Sequence, residues 1–309
     1  MTHSLIIKKT FTSLHRALFA WLHSSFTLLL TLVLISSFSS EVWADWPHVA
    51  MSKDGTAISY EVSGKGDPTL VFIHGWSCDA RYWRNQVSHF SKDHQVVQID
   101  LAGHGHSATT RSVYSMKAFG EDVQAVIEAV GSQNVILIGH SMGGAVIAEA
   151  ARLMPERVKG LIGIDTLENI EYPLKREDFE AMMIPFKNDF QSGTRQFVQS
   201  MLSPNSDTRI KEWILSDMAA APASIALSAM GEYLPRYITG QAAKVFETIK
   251  VPVVTVNSDM WPINYEGNRR HMQSFEAIVV KNSDHFLMLN RPKDFNTALK
   301  KAIAITLKK

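Results

Sequence analysis

The pentapeptide Gly139-His140-Ser141-Met142-Gly143 sets a serine between glycines, where the apolar run 135–138 gives way to an alanine-rich segment beginning at Gly144. The aliphatic, β-branched run reads as a buried strand and the segment after it as a helix. Ser141 therefore sits on the turn between them. The pattern matches G-x-S-x-G, in which small neighbours let strand and helix approach while the serine is held in a strained conformation with its Oγ exposed. The start of the following helix turns free N–H groups toward the place where an oxyanion would develop. The chemistry of such a turn is nucleophilic attack on a carbonyl carbon. The plainer alternative is a glycine-containing turn with a capping serine.

A serine nucleophile needs a base, an acid to orient that base, and donors for the oxyanion. Of the twelve histidines, two follow Ser141, namely His271 and His285. His285 lies in "NSDHFLML" directly after the apolar "AIVV", on a loop at a strand end. His271 lies in the helical-looking "EGNRRHMQSF" and reads as a surface or packing histidine. Cys78 is the single cysteine, so no intrachain disulfide and no cysteine-based zinc site is implied, and it reads as a small buried filler.

The elements that must hold these residues alternate. "AISYEV", "TLVFIHG", "QVVQIDLAG", "VILIGH" and "KGLIGID" read as strands and "MKAFGEDVQAVIEAV" as a helix, which implies a mostly parallel central sheet covered by helices on both faces. The glycine-rich "SGKGDP" lacks the ending of a phosphate loop and reads as a hairpin turn. From about Glu168 to Arg236 strand signals stop and Met- and aromatic-containing helical segments take over, until "VPVVTVNSD" and "FEAIVVKNSDHF" restore them. The expected organisation is a core in two parts, 45–167 and 241–309, interrupted by a helical lid insertion at 168–240. Such an insertion sits over the strand ends, where α/β folds bind ligands.

A chain of 309 residues with 46% hydrophobic content can bury a substantial core, and a formal net charge of +1 carries none of the basic excess that nucleic-acid binding needs. The first residues differ in kind: Lys8, Lys9 and Arg16 precede "FTLLLTLVLISSF", then "SSEVWA". This reads as a signal peptide over 1–44, with Val42 and Ala44 as the small residues of a cleavage site, a mature chain from Asp45, and export to a periplasm or the medium. The alternative is an uncleaved segment anchoring the protein to a membrane. Without a retained leader, no stable membrane association is expected.

With these pieces in order, the chain resembles the α/β-hydrolase family, in its serine-nucleophile, lid-containing, esterase-like branch. The resemblance runs from about Asp54 to the C-terminal helix and rests on "HGW", "DLAGHGHS", "GHSMGG" and "DHF". It implies a chain order of serine, acid, histidine. It also implies oxyanion donors from the backbone N–H groups of Trp76 and Met142, and a structural role for the turn bearing Asp100, His104 and His106. No metal or organic cofactor is implied.

The acid departs from the commonest family pattern. Most relatives carry it at the end of G-x-x-D after the lid, and here those positions read Ser258-Asp259-Met260-Trp261. Asp259 falls two residues early, roughly 6 to 7 Å along an extended strand, against a contact of about 2.8 Å to imidazole. Asp165 ends "GLIGID", where part of the family carries its acid. The reading favours Asp165 and keeps Asp259 as the alternative. The implied function is cleavage of a small carboxylic ester or lactone through an acyl-enzyme on Ser141, with His285 as base, the partner being a small-molecule ester or other acyl substrate. Carbon–carbon bond hydrolysis of a diketone-like substrate uses the same triad, and a ligand-binding protein on the same fold is the non-enzymatic alternative.

Overall fold

A computed structural model describes residues 47–308. The leader reading over 1–44 and the cleavage before Asp45 lie outside the described residues.

The chain opens with β1 (His48–Met51), β2 (Ala57–Ser63) and β3 (Thr69–Ile73), then a 3₁₀ turn (Ala80–Trp83) leads to α1 (Arg84–Phe90) and β4 (Val96–Ile99). Next come α2 (Met116–Val130), β5 (Val135–His140), α3 (Gly143–Leu153) and β6 (Val158–Ile164). Six helices follow before the next strand: α4 (Arg176–Asn188), α5 (Phe190–Gln199), α6 (Thr208–Ala219), α7 (Ala223–Tyr233), α8 (Pro235–Ile238) and α9 (Gln241–Glu247). The chain returns through β7 (Val253–Ser258), α10 (Tyr265–His271), β8 (Phe275–Val280), α11 (Leu287–Asn290) and α12 (Pro292–Lys308).

The eight strands form one sheet in the order β1-β2-β4-β3-β5-β6-β7-β8. Strands β3 to β8 are mutually parallel, while β1 and β2 pair antiparallel at one edge. Every residue of β3, β4, β5 and β7 is buried. Side chains alternate between faces along a strand, so burial at every position means that both faces are covered, which explains the continuous apolar runs.

Two features differ from expectation. "SGKGDP" is no hairpin turn, because β4 lies between β2 and β3. Gly64 and Gly66 have φ of 71° and 139° and run against the backbone of Ser91 and Asp93, where a Cβ would collide. The glycines serve a crossover past the α1–β4 turn. Strand β1, too short for a clear period, was not anticipated.

The path of the chain positions the site. From β3 it steps to β4 on one side and then back to β5 on the other, so the loops leaving β3 and β5 diverge at their carboxyl ends. A crevice at such a reversal is where open parallel sheets bind ligands, and Ser141 follows β5 directly.

Candidate active site

Ser141 has φ of 55°, in the left-handed region that L residues avoid. The two glycines of the pentapeptide explain how the turn closes. A Cβ on Gly139 would strike the carbonyl of Gly143, and one on Gly143 would lie 2.8 Å from the His74 oxygen and 2.9 Å from that of Ile73. Strand β5, helix α3 and the end of β3 thus meet at contact distance only because both positions lack a side chain. Met142 precedes the first residue of α3, so its N–H has no carbonyl one turn earlier to bind.

The loop after β3 lies against the same serine. A Cβ on Gly75 would be 3.1 Å from Ser141 Cβ and 2.9 Å from His140 Nδ1. His74 sets the orientation of this loop: its Nε2 accepts from the Leu101 N–H at 3.0 Å, leaving the proton on Nδ1, which donates to the Gly75 carbonyl at 2.8 Å. The carbonyl of Gly75 and the N–H of Trp76 belong to one planar trans peptide and point in opposite directions. Holding the carbonyl therefore aims the Trp76 amide. Burial keeps the His74 imidazole neutral by lowering its pKa.

His285 follows β8 and is 7% exposed. Its Nδ1 donates to Asp165 Oδ2 at 2.7 Å, and Asp165 Oδ1 accepts the Ser258 N–H at 2.6 Å. Asp165 is 2% exposed and has φ of 43°. With the proton on Nδ1, the Nε2 lone pair of His285 is available as an acceptor. His140, beside the serine, donates from Nε2 to the His285 carbonyl at 2.9 Å, and its ring lies tilted 4.6 Å from that of His285. Burial, then the nearby His285, pushes the His140 pKa well down, so this donor tautomer stays neutral.

Asp259 goes elsewhere. Its carboxylate accepts the N–H groups of Asn282 and Ser283 at 3.2 and 3.3 Å, which, the Asn282 amide foremost, lower its pKa. The structure therefore brings Asp165 rather than Asp259 to His285. Trp261, in the usual acid position, sets its ring edge-on to that of His285 at 5.6 Å. His271 bridges Glu247 and Glu171 on the surface. Asp100 binds the N–H groups of Ala80 and His106, and His104 Nδ1 lies 3.0 Å from the Ala102 carbonyl, so that turn is built from its own polar groups. Cys78 is buried, and burial raises its thiol pKa well above the usual value.

Ser141 and His285 open onto one cavity of about 410 Å³, walled by Trp76, Met182, Phe197, Met230 and Trp261 among others. Helices α4 to α7 roof it. Trp76 joins roof to floor: its indole Nε1 donates to the Ala226 carbonyl of α7 at 2.7 Å, and its ring meets Phe186, Phe190 and Phe197 edge-on. A predominantly apolar pocket with a few convergent polar groups is the usual form of a small-molecule site. Among the described residues no group of three or more His, Cys, Asp or Glu stands together as a metal site.

Three residues escaped sequence reasoning: Trp261 at the base, Glu168 in an adjoining chamber and Asp284 beneath the lid. A tryptophan in the usual acid position was a usable signal for the first. The other two carry no local pattern.

A family model for the alpha/beta hydrolase fold matches residues 68–211. The pimeloyl-[acyl-carrier protein] methyl ester esterase of Wigglesworthia glossinidia brevipalpis is 28% identical over 160 residues, covering 50% of this chain and 60% of that protein. The (E)-2-((N-methylformamido)methylene)succinate hydrolase of Acinetobacter baylyi is 24% identical over 260 residues, covering 81% and 94%. The match spans 60% or less of the length of several curated relatives. Among solved structures, a bromoperoxidase from Bacillus anthracis superposes with a TM-score of 0.73 at 21% identity, covering 85% of this chain and all of that one.

Proposed function

We propose that this chain, which has the α/β-hydrolase fold, is a serine hydrolase cleaving a small carboxylic ester or lactone through an acyl-enzyme on Ser141. The observation that carries this reading is the His285–Asp165 hydrogen bond of 2.7 Å, placed so that the base opens with Ser141 onto one apolar cavity. Esterases and hydrolases among the relatives support the reaction class.

In this mechanism His285 Nε2 takes the Ser141 proton as Oγ bonds to the carbonyl carbon. Asp165 holds the tautomer and stabilises the imidazolium. The oxyanion lies between the amides of Met142 and Trp76, donors held in place before the charge develops. The imidazolium protonates the leaving oxygen, the alcohol departs, and a water deprotonated by His285 releases the acid and regenerates Ser141.

The test is intact mass of the purified protein after treatment with a fluorophosphonate. One adduct mapping to Ser141, absent in Ser141→Ala, is expected, with turnover of a responsive ester lowered by several orders of magnitude in that variant. No adduct in a folded protein overturns the serine mechanism and favours a ligand-binding role. The same spectrum of exported material reads the N-terminus, which we place at Asp45.

A further inference from the structure

Beyond the cavity at Ser141 lies a second chamber of about 540 Å³. The two share the walls Tyr172, Met182, Tyr233, Leu234 and Trp261, and the far chamber adds Glu168 and Tyr237. The geometry points to a cation subsite: this chamber takes the ammonium end of an extended substrate whose acyl carbon lies at Ser141. The inference rests on the proposed serine chemistry only for where the scissile bond lies.

Three observations carry it. Glu168 is a half-buried carboxyl whose side-chain partner is a neutral amide, Asn257 Nδ2 at 2.8 Å. Among the described residues no lysine or arginine pairs with it; Arg236 on the same lid face is taken by Glu149 at 2.8 Å. A carboxylate so placed has no cationic side chain paired with it among the described residues, and charges drawn out of water favour such a partner. Second, the surroundings deepen that deficit. Burial first, and then the Asp165 carboxylate, push the Glu168 pKa up to about 7, so that a cation beside it is what would hold the carboxyl charged near neutrality. Third, three tyrosines and a tryptophan wall the chamber. Aromatic faces beside a carboxylate attract ammonium groups and give little to a neutral chain end of equal size.

The groups facing Glu168 are Asp165 at the end of β6, Asn257 on β7, His285 on the loop after β8, and Tyr233 and Tyr237 from the lid. Ammonium binding is therefore expected to tighten as pH rises through about 7 and Glu168 loses its proton.

The experiment uses the mature protein carrying Ser141→Ala, so that binding is read without turnover. Calorimetric titration compares n-hexylammonium with n-hexanol, with and without Glu168→Gln. Hexylammonium is expected to bind about tenfold tighter than hexanol. Glu168→Gln should abolish the preference and flatten the rise between pH 6 and 8. Equal binding of the two probes, binding of neither, or a preference that survives Glu168→Gln overturns the subsite. The comparison of probes needs no change at Glu168, so it stands even where that variant folds poorly. Fluorophosphonate labelling of Ser141 in the unmodified protein is a separate readout. Its failure with the ammonium preference intact removes the serine mechanism and leaves the cation site.

Discussion

Ser141 and Asp165 end adjacent parallel strands, and both have positive φ, 55° and 43°. Non-glycine residues held there cost about 1–3 kcal/mol each and persist where the surroundings over-determine them. At Asp165 the surroundings are the Ser258 amide and the His285 ring, one on each carboxylate oxygen. Replacing that carboxylate by an amide keeps the shape and removes the acceptor that selects the Nδ1–H tautomer. Asp165→Asn is therefore expected to lower kcat/KM by about 10³ to 10⁴ with the fold intact. Asp259→Asn, on the exposed turn, should change it by no more than about twofold. Steady-state kinetics on one responsive ester checks both, and the opposite ranking would move the orienting role to Asp259. The sequence left these two aspartates open because spacing along a strand says nothing of where the chain turns after it. Two residues before the usual position, the carboxylate of Asp259 is carried to the Asn282 and Ser283 amides. The serine and histidine were legible because each sits at the border of a strong apolar strand.

The lid and the histidine loop are bound together at Asp284, which is fully buried. Its Oδ2 accepts the Ser203 N–H at 3.0 Å and the Ser206 hydroxyl, its Oδ1 accepts the Phe286 N–H at 2.9 Å, and Asn290 Nδ2 reaches both oxygens. Next to it the His285 N–H donates to the Met201 carbonyl at 3.2 Å. The turn after α5 and the base-bearing loop therefore share one carboxylate, and the position of the base depends on the lid. Asp284→Asn puts an N–H₂ where N–H and O–H donors converge. It should cost about 1.5–3 kcal/mol in urea unfolding and speed amide exchange in residues 200–206. Unchanged exchange there would mean that the lid turn is held by packing alone. Element by element, the long amphipathic helix α2 and the buried strands were readable from period. Pairing was not: β2 and β3 follow each other in the chain, yet β4 separates them. Which strands become neighbours depends on the crossover of α1, and no window of local sequence contains that.

At the scale of the whole molecule, the reversal of chain direction between β4 and β5 brings three imidazoles into the interior beside the site. His74, His104 and His140 are each held below the usual histidine pKa by burial, His104 at about 3. A folded state with depressed histidine pKa values binds fewer protons than the unfolded chain as pH falls below about 6.5. Each such group contributes stability that is complete above that value and is lost on acidification toward the folded pKa. Glu168, raised to about 7, has the opposite sign: its contribution is complete below the unfolded value of 4.5 and fades as pH rises toward 7. Between about pH 4.5 and 6.5 the three histidines therefore act against Glu168, and burial raises Asp122 and Asp217 in the same sense as Glu168. The histidine contributions are expected to prevail, so unfolding free energy should fall on acidification in this window. Urea denaturation at half-unit intervals measures the slope. His104→Asn places its amide donor toward the Ala102 carbonyl and removes one titrating group, so it should reduce the slope by up to about 1.4 kcal/mol per unit. A midpoint that stays level or rises on acidification would mean that the interior admits these protons. The neutral hydrogen bonds that His74 and His140 make around Gly75 and His285 would then not persist at the pH where the base must work.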